Sequence, residues 1–491
     1  MSEMPTRRDV LLGGAAATLA GTAHAQSAAP TILKLQRRSI EVNGKPASVF
    51  GIMQPDGTHG LVTEIGKPFR VRVQNGIDAP SLIHWHGLTP PWQQDGVPGI
   101  SAPPIAAGAT ADYDFPLTSG GTYWMHSHQG FQEQSLMTAP LIIRDPRDPR
   151  DRQEIVVLLS DFSFTPAEEI MARLQRPAAE QTPRLAAMTP TKMPPMAQDT
   201  MSAEKPATAM PIGGMAMGAS AKPDLNDVAY DAFLANDRTL ADPFVSKVEP
   251  GGTVLLRIIN GASMSAFHID LGHLAGELIA VDGHAVVPVK GKVFPVTVAQ
   301  RIDIQVVIPR GPAAYPVFAV LEGESRRTGI VLAAGNARIA RITDQAALPA
   351  TPLTLELERR LRATAPLAPR KPDRVHAVDL TGDMARYVWS INNVVWNKDT
   401  PPLPVAKGER VALVMTNKTM MSHPMHLHGH VFQVVEIDGR RLSGAMRDTI
   451  LVPPRQRVVV AFDADNPGTW AFHCHLLYHM DAGMFQTVRY L

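Results

Sequence analysis

The chain has 491 residues, too many for a single hydrophobic core, and two to four domains are expected. Lys and Arg number 47 against 46 Asp and Glu, so the net charge of +1 leaves no basic excess to neutralise phosphates and argues against nucleic acid as a partner. A single cysteine excludes an intramolecular disulfide, and 43 Pro with 37 Gly favour a turn-rich β fold over long helical bundles.

Residues 1–25 read as an export leader of the twin-arginine type. Arg7 and Arg8 precede the apolar run "VLLGGAAATLAGTA", and Ala23–Ala25 offers a small-residue cleavage site. The run is about 14 residues, short of the ~20 that span a bilayer. No later segment is long and apolar enough to span, so the mature protein is expected to start near Gln26 and to lie free of the membrane, in the periplasm or outside the cell.

Three stretches then repeat one pattern: "GKPFRVRVQNGIDAPSLIHWHG" from Gly66, "GGTVLLRIINGASMSAFHIDL" from Gly251 and "KGERVALVMTNKTMMSHPMHLHG" from Lys407. Each runs from Gly through alternating apolar residues to an Asn (Asn75, Asn260, Asn417), with a His eight or nine residues further on (His84, His268, His426). Alternation at period two predicts half-buried strands, and the Gly and Asn positions predict turns. "GTYWMHSH" from Gly121 and "GTWAFHCH" from Gly468 align without a gap, which places Ser127 where the later copy has Cys474. The matching middle stretch, "GPAAYPVFAV" from Gly311, has no His pair. The chain therefore reads as three homologous β-domains, at 31–146, 147–349 and 350–491, with metal-type residues in the first and third.

Residues from about 173 to 223 break this pattern. They are rich in Ala, Pro, Thr and Met and contain no aromatic residue, so a mobile insertion in the second domain is expected. Met188, Met193, Met196, Met201, Met210, Met215 and Met217 fall within it. Thioethers favour Cu(I) over harder ions, which offers a copper-handling reading. The other reading is a linker in which Met is incidental.

Four His-x-His pairs occur: His84 and His86, His126 and His128, His426 and His428, His473 and His475. Residues two apart on a strand share a face, so each pair presents two imidazoles side by side. Eight convergent imidazoles are enough for several metal ions. Cys474 must then face away from His473 and His475 and needs other partners. His423, His479 and Met484 lie within reach in sequence, and two His, a Cys thiolate and a weak Met form the ligand set of a blue-copper electron-transfer site. A thiol placed between two histidines joins two metal sites through one short covalent path.

With "HWHG", "HSH", "HPMHLHG" and "HCHLLYHMDAGM" in order, the chain resembles the three-domain multicopper oxidases of the laccase type. "HCHLLYHM" and "NDVAYDAFLAND" from Asn226 look most like the bacterial copper-resistance oxidases. The resemblance covers about residue 40 to the end, except for the Met-rich insertion. It implies three consecutive cupredoxin-like Greek-key β-barrels and four copper ions. His423, Cys474, His479 and Met484 would hold one type 1 copper. His84 and His426 would hold one type 2 copper. His86, His126, His128, His428, His473 and His475 would hold two type 3 coppers, with the cluster between the first and third domains. His430 matches no family ligand and reads as structural.

The implied activity is four one-electron oxidations at the type 1 copper coupled to reduction of O2 to water, with Cu(I), phenols or aromatic amines as donors and a monomeric protein. The alternative is a periplasmic protein that sequesters copper without turnover. Asp95 in "WQQDGVPG" resembles the acidic residue that family members place near the cluster, and it is expected to act as a proton donor. Several laccases carry a carboxylate three residues after their HCH motif, where this chain has Tyr478; Asp481 is the nearby substitute.

Overall fold

The computed structural model describes residues 29–149, 151–176 and 225–491, so the leader and the seven methionines of the insertion lie outside the described residues. Residues 173 and 174, at the start of the expected insertion, still belong to the helix Ala167–Leu174. No helix among the described residues is long and apolar enough to cross a membrane. Strands dominate, and they form six sheets, two from each third of the chain. The fold is all-β, with three successive cupredoxin-like units. The strands change over between Arg144 and Gln153 and again between Ala334 and Arg374.

The repeat has one topology in all three units. Pro68–Asn75, Thr253–Asn260 and Arg410–Asn417 each run parallel to the first long strand of their unit, Thr31–Val42, Gln153–Phe162 or Arg374–Asp383. On the other side each pairs antiparallel with Thr110–Pro116, Arg301–Val307 or Arg457–Asp463.

The repeated Asn explains itself. Asn75, Asn260 and Asn417 are buried, and in each the side-chain Nδ2 donates to the carbonyl oxygen of a residue four or five ahead and to a second carbonyl 30 to 36 residues away in sequence: Ala79 and Ile105, Ser265 and Val296, Met421 and Val452. The Oδ1 of each accepts the N–H two residues on. One side chain thus satisfies three buried backbone groups at the strand exit, each of which would cost about 1–3 kcal/mol if left unpaired.

Alternating burial holds in Pro68–Asn75 and fails in Thr253–Asn260, which is buried almost throughout. The reason is packing between units. Arg257 on that strand reaches Thr122 of the first unit and pairs with Glu154 and Asp303, so the face that would meet water is covered.

Strand register brings the His pairs together. Ile83–His86 runs antiparallel to Gly121–Ser127 with His84 opposite His126. His423–Leu427 runs antiparallel to Thr469–Cys474 with His426 opposite His473 and Met425 opposite Cys474. Only the first pair lies wholly on a strand; His128, His428 and His475 each sit one residue past a strand end. Gly87 and Gly429, which close "HWHG" and "HLHG", have φ of +88° and +64°. A Cβ at Gly87 would collide with Arg301 and Asp448, and one at Gly429 with the Trp470 ring.

Candidate metal centres

Cys474 ends its strand fully buried, and two imidazoles converge on it. Its Sγ lies 3.6 Å from His423 Nδ1 and 3.9 Å from His479 Nδ1, and these two nitrogens are 3.3 Å apart. Both rings are held from behind. His423 Nε2 meets Thr419 Oγ1 at 2.8 Å, and His479 Nε2 donates to Asp227 Oδ2 at 2.9 Å. Trp389 stacks on the His479 ring. Met484 is buried after the short helix Leu477–Asp481, its backbone bonded to Cys474 N and His479 O. Burial pushes the Cys474 thiol well above its usual range, so a thiolate here requires a neighbouring cation.

The eight paired histidines form a second cluster. His84 and His426 oppose their Nε2 atoms at 3.4 Å, and each ring is fixed by its Nδ1 donating to a backbone carbonyl, Asp95 or Asp448, at 2.9 Å. His128, His428 and His473 form a triplet, with His473 Nε2 3.0 Å from His428 Nε2 and 3.4 Å from His128 Nε2. His86, His126 and His475 form the other, with ring centroids 5.0–5.6 Å apart.

Three observations test whether metal fits. His86 Nδ1, His126 Nε2 and His475 Nε2 are buried and lack any hydrogen-bond partner, which an apolar packing role would not tolerate. Burial holds His86, His126, His128, His423, His426, His428 and His475 well below the ordinary histidine range and lowers His473 to about 4. Neutral imidazole is the form that ligates. The donors are one soft thiolate and ten imidazoles, a set that suits copper.

Three family profiles described as multicopper oxidase match residues 36–148, 154–337 and 369–490. The chain belongs to the multicopper oxidase family. It is an enzyme, an oxidoreductase that holds copper and uses O2 as acceptor, and the reading as a storage protein without turnover is set aside. Multicopper oxidase MmcO of Mycobacterium tuberculosis is 32% identical over 87% of this chain and 80% of its own length. Copper resistance protein A of Escherichia coli is 27% identical over 86% of each. The solved structure of Fet3p, a multicopper oxidase that functions in iron import, superposes with a TM-score of 0.72 over 94% of this chain and 90% of that one, at 20% identity.

The other residues singled out in the sequence fall as follows. Asp95 is buried between two candidate sites, with Oδ2 3.0 Å from His428 Nδ1 and Oδ1 3.2 Å from His84 Nδ1. His430 is occupied at both nitrogens, by the His428 carbonyl and the Tyr490 hydroxyl. His268, the repeat partner in the middle unit, meets the Thr351 carbonyl instead of a metal-type group. Tyr478 is buried and donates to Gln134 Oε1, while Asp481 is exposed. The carboxylate on that side of the cluster comes from the first unit: Glu133 Oε2 lies 2.6 Å from His126 Nδ1.

Sequence reading missed Glu133, Asp448 and Asp227. The middle unit lacks a His pair, yet it supplies Asp227 to His479 and Arg301 to Asp448. Asp227 lies inside "NDVAYDAFLAND", the stretch that resembles the copper-resistance oxidases, and that was the available signal.

Proposed function

We propose that this multicopper oxidase binds four coppers in one chain: one at His423, Cys474, His479 and Met484, one at His84 and His426, and two at the triplets His86/His126/His475 and His128/His428/His473. The observation that carries the reading is the convergence of ten histidine side chains and Cys474 within a single protomer, with His473 and His475 flanking the thiol. Bound copper would supply one-electron redox chemistry at the thiolate and multi-electron chemistry toward O2 at the imidazole cluster. The chain supplies the connection. Cys474 is peptide-bonded to both histidines, and its carbonyl oxygen also accepts the His473 Nδ1–H at 2.9 Å. A monomer suffices, since no second chain is needed to complete a site. The leader would export the folded protein by the twin-arginine route to the periplasm or beyond.

Asp95 is the proposed proton donor, because its carboxylate lies within 3.2 Å of His84 and 3.0 Å of His428. Asp95→Asn is expected to lower turnover by about a hundredfold, within the range of general acid catalysis, while the blue absorption of the Cys474 site is unchanged. Unaltered turnover in that variant would remove Asp95 from the proton route.

The proposed preferred donor is Cu(I), with phenols and aromatic amines as slower donors. Two features support this. Relatives include copper resistance proteins, and Met188 to Met217 offer soft thioethers. In addition, Asp227 caps His479 Nε2 and both side chains are buried, so a bulky phenol meets no bare imidazole edge. The test is O2 uptake with Cu(I) and with a phenol in parallel, for the parent and for a deletion of residues 188–217. The deletion is expected to slow Cu(I) oxidation while phenol turnover holds or rises. Equal loss of both activities would contradict the assignment.

A further inference from the structure

The two triplets are anchored differently. Behind His128/His428/His473 stand Asp95 and a backbone carbonyl. Behind His86/His126/His475 stand two buried carboxylates, Asp448 at His86 Nε2 and Glu133 at the other two rings. Glu133 Oε2 is 2.6 Å from His126 Nδ1, and Oε1 is 3.9 Å from His475 Nδ1 with no hydrogen-bond partner of its own. The outer nitrogens of both rings, Nε2 of His126 and of His475, are the unpartnered buried atoms described above. One carboxylate thus stands beside two rings whose centroids are 5.0 Å apart and whose Nε2 atoms both lack a partner.

The loop that carries Glu133 is fastened on both sides. Gln132 Oε1 accepts hydrogen bonds from Ser81 Oγ and Ser127 Oγ, both at 2.7 Å, and Gln132 Nε2 donates to the Pro80 carbonyl. Ser127 holds the position that Cys474 holds in the third unit. Where that copy has a thiol for metal, this copy has a hydroxyl that pins the loop. On the other side, Gln134 Oε1 accepts from Tyr230 Oη at 2.7 Å, Ser263 Oγ at 2.6 Å and Tyr478 Oη at 3.4 Å, which joins the loop to the second and third units. Glu133 lies between these two anchors, which hold the backbone that carries it.

We infer that Glu133 is the positioning residue of the His86/His126/His475 triplet, fixing His126 with Nε2 toward the metal. This rests on the copper assignment proposed above. The role is that of an acceptor and needs no change of protonation, since a carboxyl oxygen accepts an Nδ1–H in either state. His126 Nδ1 also lies 3.3 Å from the Ser127 carbonyl, so the carboxylate is the nearer of two acceptors. Outer partners of this kind typically govern metal affinity by about 10–100-fold.

The test compares Glu133→Met, which keeps the volume and removes the acceptor, with Glu133→Gln, which keeps one acceptor oxygen. Full-length copper-loaded protein is titrated with a chelator, and copper per chain is followed beside the blue absorption of the Cys474 site. Glu133→Met is expected to surrender copper from the cluster at about 10–100-fold lower chelator than the parent, with the blue absorption intact, and Glu133→Gln to recover most of the loss. Parent-like retention in Glu133→Met, or equal weakening in both variants, would overturn the inference. If Glu133→Met loses the blue absorption as well, Glu133→Asp decides: weakened cluster copper with retained colour supports the role, and parent-like retention overturns it. A parent that binds copper only at Cys474 would instead refute the copper assignment itself, an outcome visible before any variant is made.

Discussion

Cys474→Ser is expected to abolish the blue absorption and to reduce oxidase turnover to background, a larger effect than the about 10–100-fold that loss of an outer partner costs. The substitution is nearly isosteric in a fully buried position, so the fold should survive. What changes is the ligand. A serine hydroxyl is hard and stays protonated, whereas a thiolate is soft and forms when a cation offsets its burial. His423 and His479 would retain two imidazoles with no thiolate between them. Copper in the imidazole cluster should remain, because none of its ligands is altered, so the variant should lose about one copper per chain and keep the rest. Visible absorption, copper content and O2 uptake on one preparation check all three statements. Retained blue absorption in the variant would exclude Cys474 as the ligand.

Asp448→Ala is expected to be the most destabilising single change near the cluster. Asp448 Oδ1 accepts from His86 Nε2 at 3.0 Å, from Thr449 Oγ1 at 2.9 Å and from Arg301 Nη1 at 2.8 Å. Its Oδ2 holds Arg301 Nη2, and its backbone oxygen holds His426. Arg301 is buried with no exposed surface, and the network continues through Asp282 to Arg447 and Glu358. Loss of one partner in a buried ion network leaves the other charge uncompensated, at a cost of about 3–5 kcal/mol. Chemical unfolding of the copper-free protein measures this without any contribution from metal. Asp448→Asn keeps the shape and one acceptor and should cost less than the alanine. A loss below about 1 kcal/mol in Asp448→Ala would mean that a rearranged Asp282 neutralises Arg301 or that entering water solvates its charge.

The proposed copper ligands were legible in the sequence because their signals are local. Residues two apart share a strand face, the pairs recur at equivalent places in a repeat, and His423, His479 and Met484 lie within a few residues of other ligands. The repeated Asn was legible as a turn residue, though its service to three buried backbone groups was not. The groups behind the ligands were harder to see for a physical reason. Asp448 lies 362 residues from His86 and Asp227 lies 252 from His479, so only the packing of the units brings them together. Glu133 is close to His128 in the chain, yet "QGFQEQ" spells no ligand spacing, and its role depends on a loop pinned from both sides. The expected alternation in Thr253–Asn260 gave way because the first unit covers its outer face. Asp481, weighed as a substitute for the carboxylate absent at Tyr478, is exposed, and the carboxylate beside His126 is Glu133 of the first unit.

The most direct test of the central claim is copper per chain measured together with the visible absorption of the copper-loaded parent protein. The expected result is about four coppers per chain with intense blue absorption, from one thiolate-bound copper and three in the imidazole cluster. A fully loaded protein with no blue absorption would contradict the thiolate site. About one copper per chain with full colour would contradict the cluster.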